Sequence, residues 1–483
     1  MQDKLNAIND PLDLLPGSAL GPFRLCSLLF NVLNHVREYS DNYPQVQLAW
    51  DEKNPLTGPV HLTLTTPPLH LTFVGPSQRL ARIQVTGSRP GSHVAYRSQR
   101  VQEPGRGTTR EEEEEVEEED EDEGIVKRIR RILGPTYGSS KAPVAPGTIR
   151  ADPEEILSYP GVAFGISTRS SGAQQLQRIV VTPLPAPESQ PIDQAWLHPK
   201  LDESRIAVAH GDLARATIEV RPPLKRISSA LLNDEQYCDQ LPRGGESSRP
   251  KVTLAFHSLS DPPPSRTNRR GDGFRPVEPV VLEIGETTSE DVLCDLGSAI
   301  RTFWKEDDRL SIHTAAVGAS RESALEPNPY FLSYPHLGLT LMMSVPNSSL
   351  LPHLVEKVIL HSNVPGQVQF GRTTRALWSL RCDNISATEQ VKQGEEVQEV
   401  KVEDGWTKVR EALRRSGARE DDKPMILDRT AYSSETGPTP GASGGSLSQD
   451  AAIKGQTTEI YGFSSGVACE VTQSGDIETL WLF

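Results

Sequence analysis

The opening of the chain combines a helix-like spacing of apolar residues with strand-like alternation. The helix-like positions are Leu25, Leu28, Leu29, Val32, Leu33 and Val36. This spacing places them on one face of a helix. Apolar residues then alternate with others between Val46 and Phe73, which predicts antiparallel strands with one buried face. The last strand of this segment reads apolar-x-x-apolar-x-apolar at Leu80, Ile83 and Val85.

This closing pattern occurs three more times. The copies are Leu176, Ile179 and Val181, then Val355, Val358 and Leu360, then Ile477, Leu480 and Leu482. An alternating strand precedes each copy. We predict that Phe73, Phe164, Leu341 and Val471 hold equivalent buried positions on those preceding strands.

Helical patterns precede the strands at matching places. Ile125 to Leu133 ends at Gly134, and Asp291 to Leu296 ends at Gly297, both suitable helix stops. Thr288 and Asp291 form a capping-box sequence, and Trp406, Val409 and Leu413 mark a fourth helix that stops near Gly417. Two copies also share the words Leu157-Ser158-Tyr159-Pro160 and Leu332-Ser333-Tyr334-Pro335. The prediction is an α+β fold of four repeated helix-plus-antiparallel-sheet units.

Composition shifts divide the chain further. Strand-like stretches at Ala216–Val220, Val252–Phe256 and Val280–Ile284 predict an additional β module between units two and three. Polar, charged or Gly/Ser-rich segments without periodicity are typical of disorder. The predicted boundaries are 12–87 for the first unit, 88–123 for a disordered acidic insertion, 124–185 for the second unit, 205–284 for the β module, 285–382 for the third unit, 387–403 for a disordered insertion, and 404–483 for the fourth unit with a disordered loop at 433–456.

Charge is concentrated in one segment. The formal charge is −15, and 12 acidic residues lie between Glu111 and Glu123, so −3 remains without them. The run is expected to repel itself and stay solvated, and its deletion should leave folding intact. The rest of the chain lacks the basic excess that usually marks nucleic-acid binding, so we expect no nucleic-acid partner.

Cysteines and hydropathy indicate the compartment. The five cysteines are widely spaced and form no CxxC pair, which is typical of reduced thiols, most of them in cores. No signal-peptide pattern opens the sequence, and no apolar stretch approaches a membrane span. We expect a cytoplasmic protein whose membrane contact is peripheral.

Catalytic chemistry has little support in the sequence. Gly441-Ala442-Ser443-Gly444-Gly445 has the letters of a nucleophile elbow but lacks the flanking strand and helix. The carboxylates Glu306, Asp307 and Asp308 are typical of a solvated turn. The 11 histidines form no zinc-ligand spacing, and no phosphate-binding loop occurs. We therefore expect no enzyme, no catalytic residues, no cofactor and no metal, while a distributed site stays a remote alternative.

Three segments are candidate binding elements. Residues 124–134 place Lys127, Arg128, Arg130 and Arg131 opposite an apolar face of Ile125, Ile129, Ile132 and Leu133, as a membrane-surface helix or a packed core helix would. Arg266, Arg269, Arg270 and Arg275 lie in a Pro/Gly-rich loop that could contact phosphate headgroups, or be only solvated. Asp404 to Val409 has the letters of a peptide motif that adds a strand to ubiquitin-like autophagy modifiers, although Trp406 and Val409 also fit a helix core.

Several short segments match one known family. They include Val46-Gln47-Leu48, Leu69-His70-Leu71-Thr72-Phe73, Asn328-Pro329-Tyr330-Phe331 and Lys357-Val358-Ile359-Leu360-His361-Ser362-Asn363 with Pro365-Gly366. In these segments the sequence resembles the phagosome assembly factor family, formerly an uncharacterised protein family, as a fungal-type homologue. The resemblance covers nearly the whole chain outside the predicted insertions. Met342-Met343-Ser344 departs from the acidic turn usual in the family, and the Glu-rich run is an addition to it.

The resemblance implies a non-enzymatic adaptor in autophagy. Its implied partner is a WD-repeat β-propeller protein of the breast-carcinoma-amplified-sequence type, with recruitment to the phagophore assembly site. Contact with phosphoinositide membrane is then expected mainly through that partner, with the basic residues at 127–131 and 266–275 as candidate lipid or phosphate contacts. A Golgi-linked vesicle trafficking adaptor is the alternative.

Overall fold

The computed structural model describes residues 11–102, 124–136, 140–141, 154–168, 174–184, 212–220, 249–257, 278–304, 328–346, 350–382, 398–428 and 457–483. They belong to two compact units, one containing the described residues up to Leu184 and the other those from Asp212 onward. The fold is mixed α+β, with more strand than helix in the described residues.

The described residues of the first unit form two sheets and two α-helices. Its elements are β1 Leu12–Leu15, β2 Ala19–Leu20, β3 Phe23–Arg24, α1 Leu29–Glu38, β4 Val46–Trp50, β5 Val60–Leu64, β6 Leu69–Phe73, β7 Leu80–Val85, a 3₁₀ helix Pro90–His93, β8 Val94–Tyr96, β9 Gln99–Arg100, α2 Ile125–Leu133, β10 Ser140–Lys141, β11 Glu154–Tyr159, β12 Val162–Thr168 and β13 Gln174–Val181. An antiparallel eight-stranded sheet has the order β10-β11-β12-β13-β7-β6-β5-β4. A smaller sheet has the order β3-β2-β1-β8-β9, in which β1 and β8 are parallel.

The second unit has the same kinds of sheet. Its elements are β14 Leu213–Val220, β15 Lys251–Phe256, β16 Val280–Glu283, α3 Ser289–Leu296, β17 Arg301–Trp304, β18 Tyr330–Tyr334, β19 Leu339–Met343, β20 Val355–His361, β21 Trp378–Cys382, β22 Gln398–Lys401, a 3₁₀ helix Val402–Asp404, α4 Gly405–Arg415, β23 Met425–Asp428, β24 Thr457–Phe463, β25 Val467–Val471 and β26 Ile477–Leu482. The eight-stranded order is β17-β18-β19-β20-β26-β25-β24-β23, and the five-stranded order is β16-β15-β14-β21-β22.

One hydrophobic core joins the two sheets of the second unit. Leu341 of the large sheet, Trp378 of the small sheet and Val409 of α4 all belong to it, and each is at most 1% exposed. The small sheet is therefore not a separate module. Its strands β14 to β16 were predicted as an independent β module at 205–284, but β14 pairs in parallel with β21, which the prediction assigned to the third unit.

The repeated closing pattern is explained by a bulge. Each of the closing strands β7, β13, β20 and β26 contains one residue that has no partner residue on the preceding strand, while the residues on both sides of it are paired. A bulge inserts one residue into a strand and so moves later apolar positions by one. The skipped residues are Ala81, Gln177, Glu356 and Glu478. The x-x spacing in the sequence pattern is therefore a bulge and not a helical turn.

The predicted equivalence of four core positions needs correction. Phe73, Phe164, Leu341 and Val471 are all buried, as predicted. Phe73 and Val471 lie opposite the first apolar residue of their closing strands, whereas Phe164 and Leu341 lie opposite the second. The four are thus not one equivalent set by register. Alternation with a period of two fixes the buried face but not which pair of residues is aligned.

The two Leu-Ser-Tyr-Pro segments have a common structural role. The Tyr159 hydroxyl donates to the Gly134 carbonyl at the end of α2, over 3.0 Å. The Tyr334 hydroxyl donates to the Gly297 carbonyl at the end of α3, over 2.9 Å. Both glycines have positive φ, 95° and 74°, a conformation that glycine adopts without strain. Each tyrosine therefore binds one of the carbonyls that a helix end leaves unpaired.

Helix boundaries follow local chemistry. The predicted capping box is present, because the Asp291 N–H donates to Thr288 Oγ1 and the Thr288 N–H donates to the Asp291 carboxylate. The first helix begins at Leu29 and not at Leu25. Cys26 has a φ of 69°, which is not helical, and its N–H donates to the Leu80 carbonyl of β7. The backbone at Cys26 therefore pairs with β7 and does not start the helix.

Two predicted insertions were drawn too wide. Residues 88–102 form the 3₁₀ helix, β8 and β9, and Val94 and Val101 are fully buried. Residues 398–404 form β22 and the second 3₁₀ helix, and Val400 and Val402 are buried. Each of these segments has too few apolar side chains to give a periodic pattern in the sequence. Residues 103–123, 387–397 and 433–456 lie outside the described residues.

Candidate interaction surface

Helix α2 carries the described part of the predicted phosphate contacts. Lys127, Arg130 and Arg131 are exposed, while Arg128 is half-buried and donates to the Arg100 carbonyl over 3.3 Å. Ile129 on the opposite side is fully buried. The helix therefore packs on the first unit and presents basic side chains outward. The other predicted contacts, Arg266, Arg269, Arg270 and Arg275, lie outside the described residues.

A long loop in the second unit is a second candidate. Residues 362–377 connect β20 to β21 and contain the Ser362-Asn363 and Pro365-Gly366 words. Ser362 and Asn363 are at most 1% exposed, and Asn363 has φ of 47°, which is uncommon for a residue other than glycine. The Asn363 side-chain oxygen accepts from the Gly371 N–H over 2.7 Å. This contact joins the start of the loop to its far side.

A buried arginine holds the end of this loop. Arg375 is only 5% exposed, and its Nε donates to the Ser362 carbonyl over 2.8 Å. Its Nη2 lies 3.4 Å from the Asn363 carbonyl. Burial lowers the pKa of Arg375 to about 10, against the opposing effect of Glu478, Glu403 and Asp476. The guanidinium therefore remains charged at neutral pH.

A buried glutamate holds the other side of the loop. Glu478 is the bulge residue of β26 and is 3% exposed. Its carboxylate accepts from the Val364 N–H over 3.1 Å, and its backbone carbonyl accepts from the Ser362 N–H over 2.9 Å. Trp378 adds a third contact, because its indole N–H donates to Ser362 Oγ over 3.1 Å. The loop backbone is thus fixed by polar contacts from two strands.

The outward side of the loop carries exposed and half-buried side chains. Arg372 is exposed, and Gln367, Val368, Gln369 and Phe370 are half-buried. Turns at Val364–Gln367 and Gln367–Phe370 give these side chains a defined arrangement. We call residues 367–372 the loop surface.

Comparison with known proteins decides the family. The model of the family described as phagosome assembly factor 1 matches residues 19–483. The chain belongs to the phagosome assembly factor 1 family. Its curated relatives are distant: a family protein of Caenorhabditis elegans is 30% identical over 118 residues, 24% of this chain and 26% of that protein. A family protein of Drosophila melanogaster is 24% identical over 156 residues, 31% of this chain and 33% of that protein.

These alignments therefore span about a third or less of each relative. No solved structure matches the chain. Family membership as a phagosome assembly factor supports a role related to autophagy.

The peptide-motif hypothesis is wrong for the folded chain of this family member. Residues 405–409 lie in α4, and Val409 is fully buried. The Trp406 ring lies 4.6 Å from the Tyr461 ring, and the Arg410 guanidinium lies 5.7 Å from both ring centres. Strand addition would require an extended, accessible segment.

Reactive groups in this phagosome assembly factor 1 family member are also placed by the structure. Among the described cysteines, Cys26, Cys382 and Cys469 are buried and Cys294 is exposed. Burial raises the pKa of Cys469 far above its ordinary value. The described ranges contain no grouping of three His, Cys, Asp or Glu side chains able to hold a metal ion. No helix among them is long and apolar enough to span a membrane.

Sequence reasoning missed the buried pair Arg375 and Glu478. Arg375 follows a loop without periodicity, and Glu478 lies at an x of the closing pattern, where a polar residue is expected to face solvent. The available signal was the x-x spacing itself, because a bulged strand redirects the side chain at the bulge.

Proposed function

We propose that this chain is a non-enzymatic autophagy adaptor that pairs with a WD-repeat β-propeller protein of the breast-carcinoma-amplified-sequence type and is recruited from the cytoplasm to the phagophore assembly site. The family match over residues 19–483 is the observation that carries this proposal. An assembly factor acts by bringing other components together. The proposal therefore needs a surface for a partner and no reaction centre.

The loop surface is our candidate for the partner contact. A buried charge is costly and becomes strongly destabilising if its partner is lost. Stability alone therefore does not explain why Arg375 and Glu478 are buried. They do fix the loop backbone, and a fixed loop loses less entropy when it binds. Arg372 on this loop is a residue type that is common in binding hot spots, and Phe370 is one of the aromatic types enriched in interface cores.

The proposed scaffold is four copies of one unit arranged as two pairs. Among the described residues, each α-helix is followed by four strands, and the closing strands pair as β7 with β13 and β20 with β26. The four bulges and the two tyrosine contacts at helix ends support this arrangement. It would place the loop surface at the junction of the third and fourth copies.

Membrane contact is proposed to occur mainly through the propeller partner. Each Lys or Arg near an anionic surface contributes about 1 kcal/mol, so Lys127, Arg128, Arg130 and Arg131 offer a weak, salt-sensitive contact. A second lipid site on the partner would increase avidity without a new contact on this chain. Liposome co-sedimentation with phosphoinositide, with and without the partner, tests this. Tight, salt-resistant binding by this chain alone would contradict it.

Affinity purification of the full chain from its native cell is the first test of the adaptor. We expect a stoichiometric WD-repeat partner. A Golgi vesicle component in its place would favour the trafficking alternative, and a substrate turned over by the purified chain would favour an enzyme.

Two variants then locate the contact. The double variant Phe370→Ala/Arg372→Ala should weaken partner binding about thirtyfold or more, since truncating a hot-spot residue costs about 2 kcal/mol or more. Arg419→Ala is the matched control, because Arg419 is also exposed in the second unit. Unchanged binding by the double variant would show that the loop surface is not the partner contact. The adaptor role would then still be decided by the affinity purification.

A further inference from the structure

Helix α2 has an exposed basic face on the first unit. Helix α2 contains four basic residues and no acidic residue. Lys127, Arg130 and Arg131 are spaced i, i+3 and i+4, so they share one exposed face.

The complementary charge is in the same chain. Between Glu111 and Glu123 the sequence carries 12 acidic residues, and the run ends one residue before Gly124, the N-cap of α2. Gly124 has no side chain to cap the helix, and the first turn of α2 contains no acidic residue. Helix N-termini attract negative charge, which adds to the attraction of the basic side chains.

Both ends of the intervening segment are fixed beside α2. Gln102 donates its N–H to the Gly91 carbonyl over 3.1 Å, close to where the described chain stops. Arg128 of α2 contacts Arg100, two residues earlier, over 3.3 Å. The segment therefore leaves and returns at the same part of the first unit. Tethering at both ends raises the effective concentration of the acidic run at α2 above that of a free peptide.

The run is long enough to reach the whole face. Thirteen residues in extended form span up to about 45 Å, whereas a nine-residue helix is about 14 Å long. We infer that the exposed basic face of α2 is a binding site for closely spaced carboxylates, and that its occupant in the isolated protein is the acidic run 111–123 of the same chain. This contact needs neither the partner nor the membrane proposed above.

A peptide supplied in trans tests the site without the tether. The probe is a fluorescent peptide with the sequence of residues 109–123, measured by anisotropy at about 0.01 M salt, where the Debye length is about 30 Å. Full-length protein lacking 109–123 should bind it, and the intact chain should bind it at least several-fold more weakly because its own run competes. A peptide with Gln at the 12 acidic positions should not bind.

Two charge-matched variants locate the site. In the protein lacking 109–123, the variant Lys127→Gln/Arg130→Gln/Arg131→Gln should lose affinity, with each substitution weakening binding by up to about fivefold. Lys408→Gln/Arg415→Gln/Arg419→Gln removes the same charge from exposed positions of the second unit and should bind like the parent. The inference is overturned if the deleted protein does not bind the peptide, if the intact chain binds it equally well, or if both triple variants behave alike.

Discussion

Leu341 connects the two sheets of the second unit at the scale of single residues. It lies on β19, has no exposed surface, and belongs to the same core as Trp378 and Val409. Leu341→Ala should lower the free energy of unfolding by about 2 to 5 kcal/mol, because a cavity adds to the lost transfer energy. Chemical denaturation measures this loss. An effect within about 0.5 kcal/mol, typical of surface positions, would contradict the burial.

Removing the charge of Arg375 should destabilise the protein more than removing the charge of neighbouring residues. Arg375→Met keeps much of the side-chain length but leaves the Ser362 and Asn363 carbonyls without this donor and the buried Glu478 without its nearby cation. We expect a loss of about 3 to 5 kcal/mol in unfolding free energy. The double variant Arg375→Met/Glu478→Gln should lose less than the sum of the two single variants. Strict additivity in this cycle would show that the two groups do not interact.

A stacked histidine pair on the first unit predicts acid sensitivity. The rings of His61 and His70 lie 5.2 Å apart, and their Nδ1 atoms contact Thr72 Oγ1 and Thr63 Oγ1 at 3.3 and 3.0 Å. Burial lowers the pKa of both imidazoles below 6.5, and the Arg82 guanidinium acts in the same direction. Since the unfolded chain then takes up protons first, stability should fall as pH decreases below about 6.5.

Thermal unfolding between pH 7.5 and 5 would measure this dependence. The variant His61→Gln/His70→Gln should show a shallower loss on acidification than the parent. It should keep part of the dependence, because burial also lowers the pKa of His35, His93 and His336. An identical slope in the parent and the double variant would exclude the pair as a source.

At the scale of elements, the tyrosine contacts make two distant segments comparable. Tyr159 and Tyr334 each donate to the carbonyl of the glycine that ends the preceding helix. Tyr159→Phe and Tyr334→Phe should each cost about 1 kcal/mol of unfolding free energy, the usual net value of such a hydrogen bond. Tyr461→Phe is a control, since Tyr461 donates to exposed Glu459. A cost confined to one of the two tyrosine variants would argue against a shared role.

The sequence predicted most of the helices and strands, but it did not predict which strands pair. Apolar periodicity predicted helices near α1, α2, α3 and α4 and the closing strands of all four segments. The short strands β1 to β3, β8 and β9 were missed because a few residues give no periodic signal. The parallel pairing of β14 with β21 was missed because it joins segments far apart in sequence. Local pattern determines which face of a strand is buried, but not which strand lies beside it.

The candidate sites were predictable to different degrees. The basic face of α2 follows from helical spacing, and exposure of Lys127, Arg130 and Arg131 agrees with that spacing. The loop surface was not predicted, because its order depends on Arg375 and Glu478, which are 103 positions apart in the printed sequence and meet only through the pairing of β20 with β26. Buried charges leave no mark in a hydropathy pattern.

At the scale of the whole molecule, the acidic run should be dispensable for folding. A segment of like charge with one apolar residue, Val116, cannot supply a core. Deletion of residues 109–123 should therefore leave the unfolding free energy within about 0.5 kcal/mol of the parent, the range of surface changes. Chemical denaturation of both proteins checks this. A larger loss would mean that the run contributes to packing as well as to charge.

The pairing of β20 with β26 also has a consequence for synthesis of the chain on the ribosome. All described strands of the first unit's large sheet have been made once Val181 has been translated, so this sheet can form while the rest of the chain is being made. In the second unit, β20 is complete at His361 but keeps an open edge until Ile477–Leu482 has emerged. During that interval an apolar strand is available for wrong pairing, which unpaired strand edges favour. Newly made second units should therefore depend more on molecular chaperones than first units do.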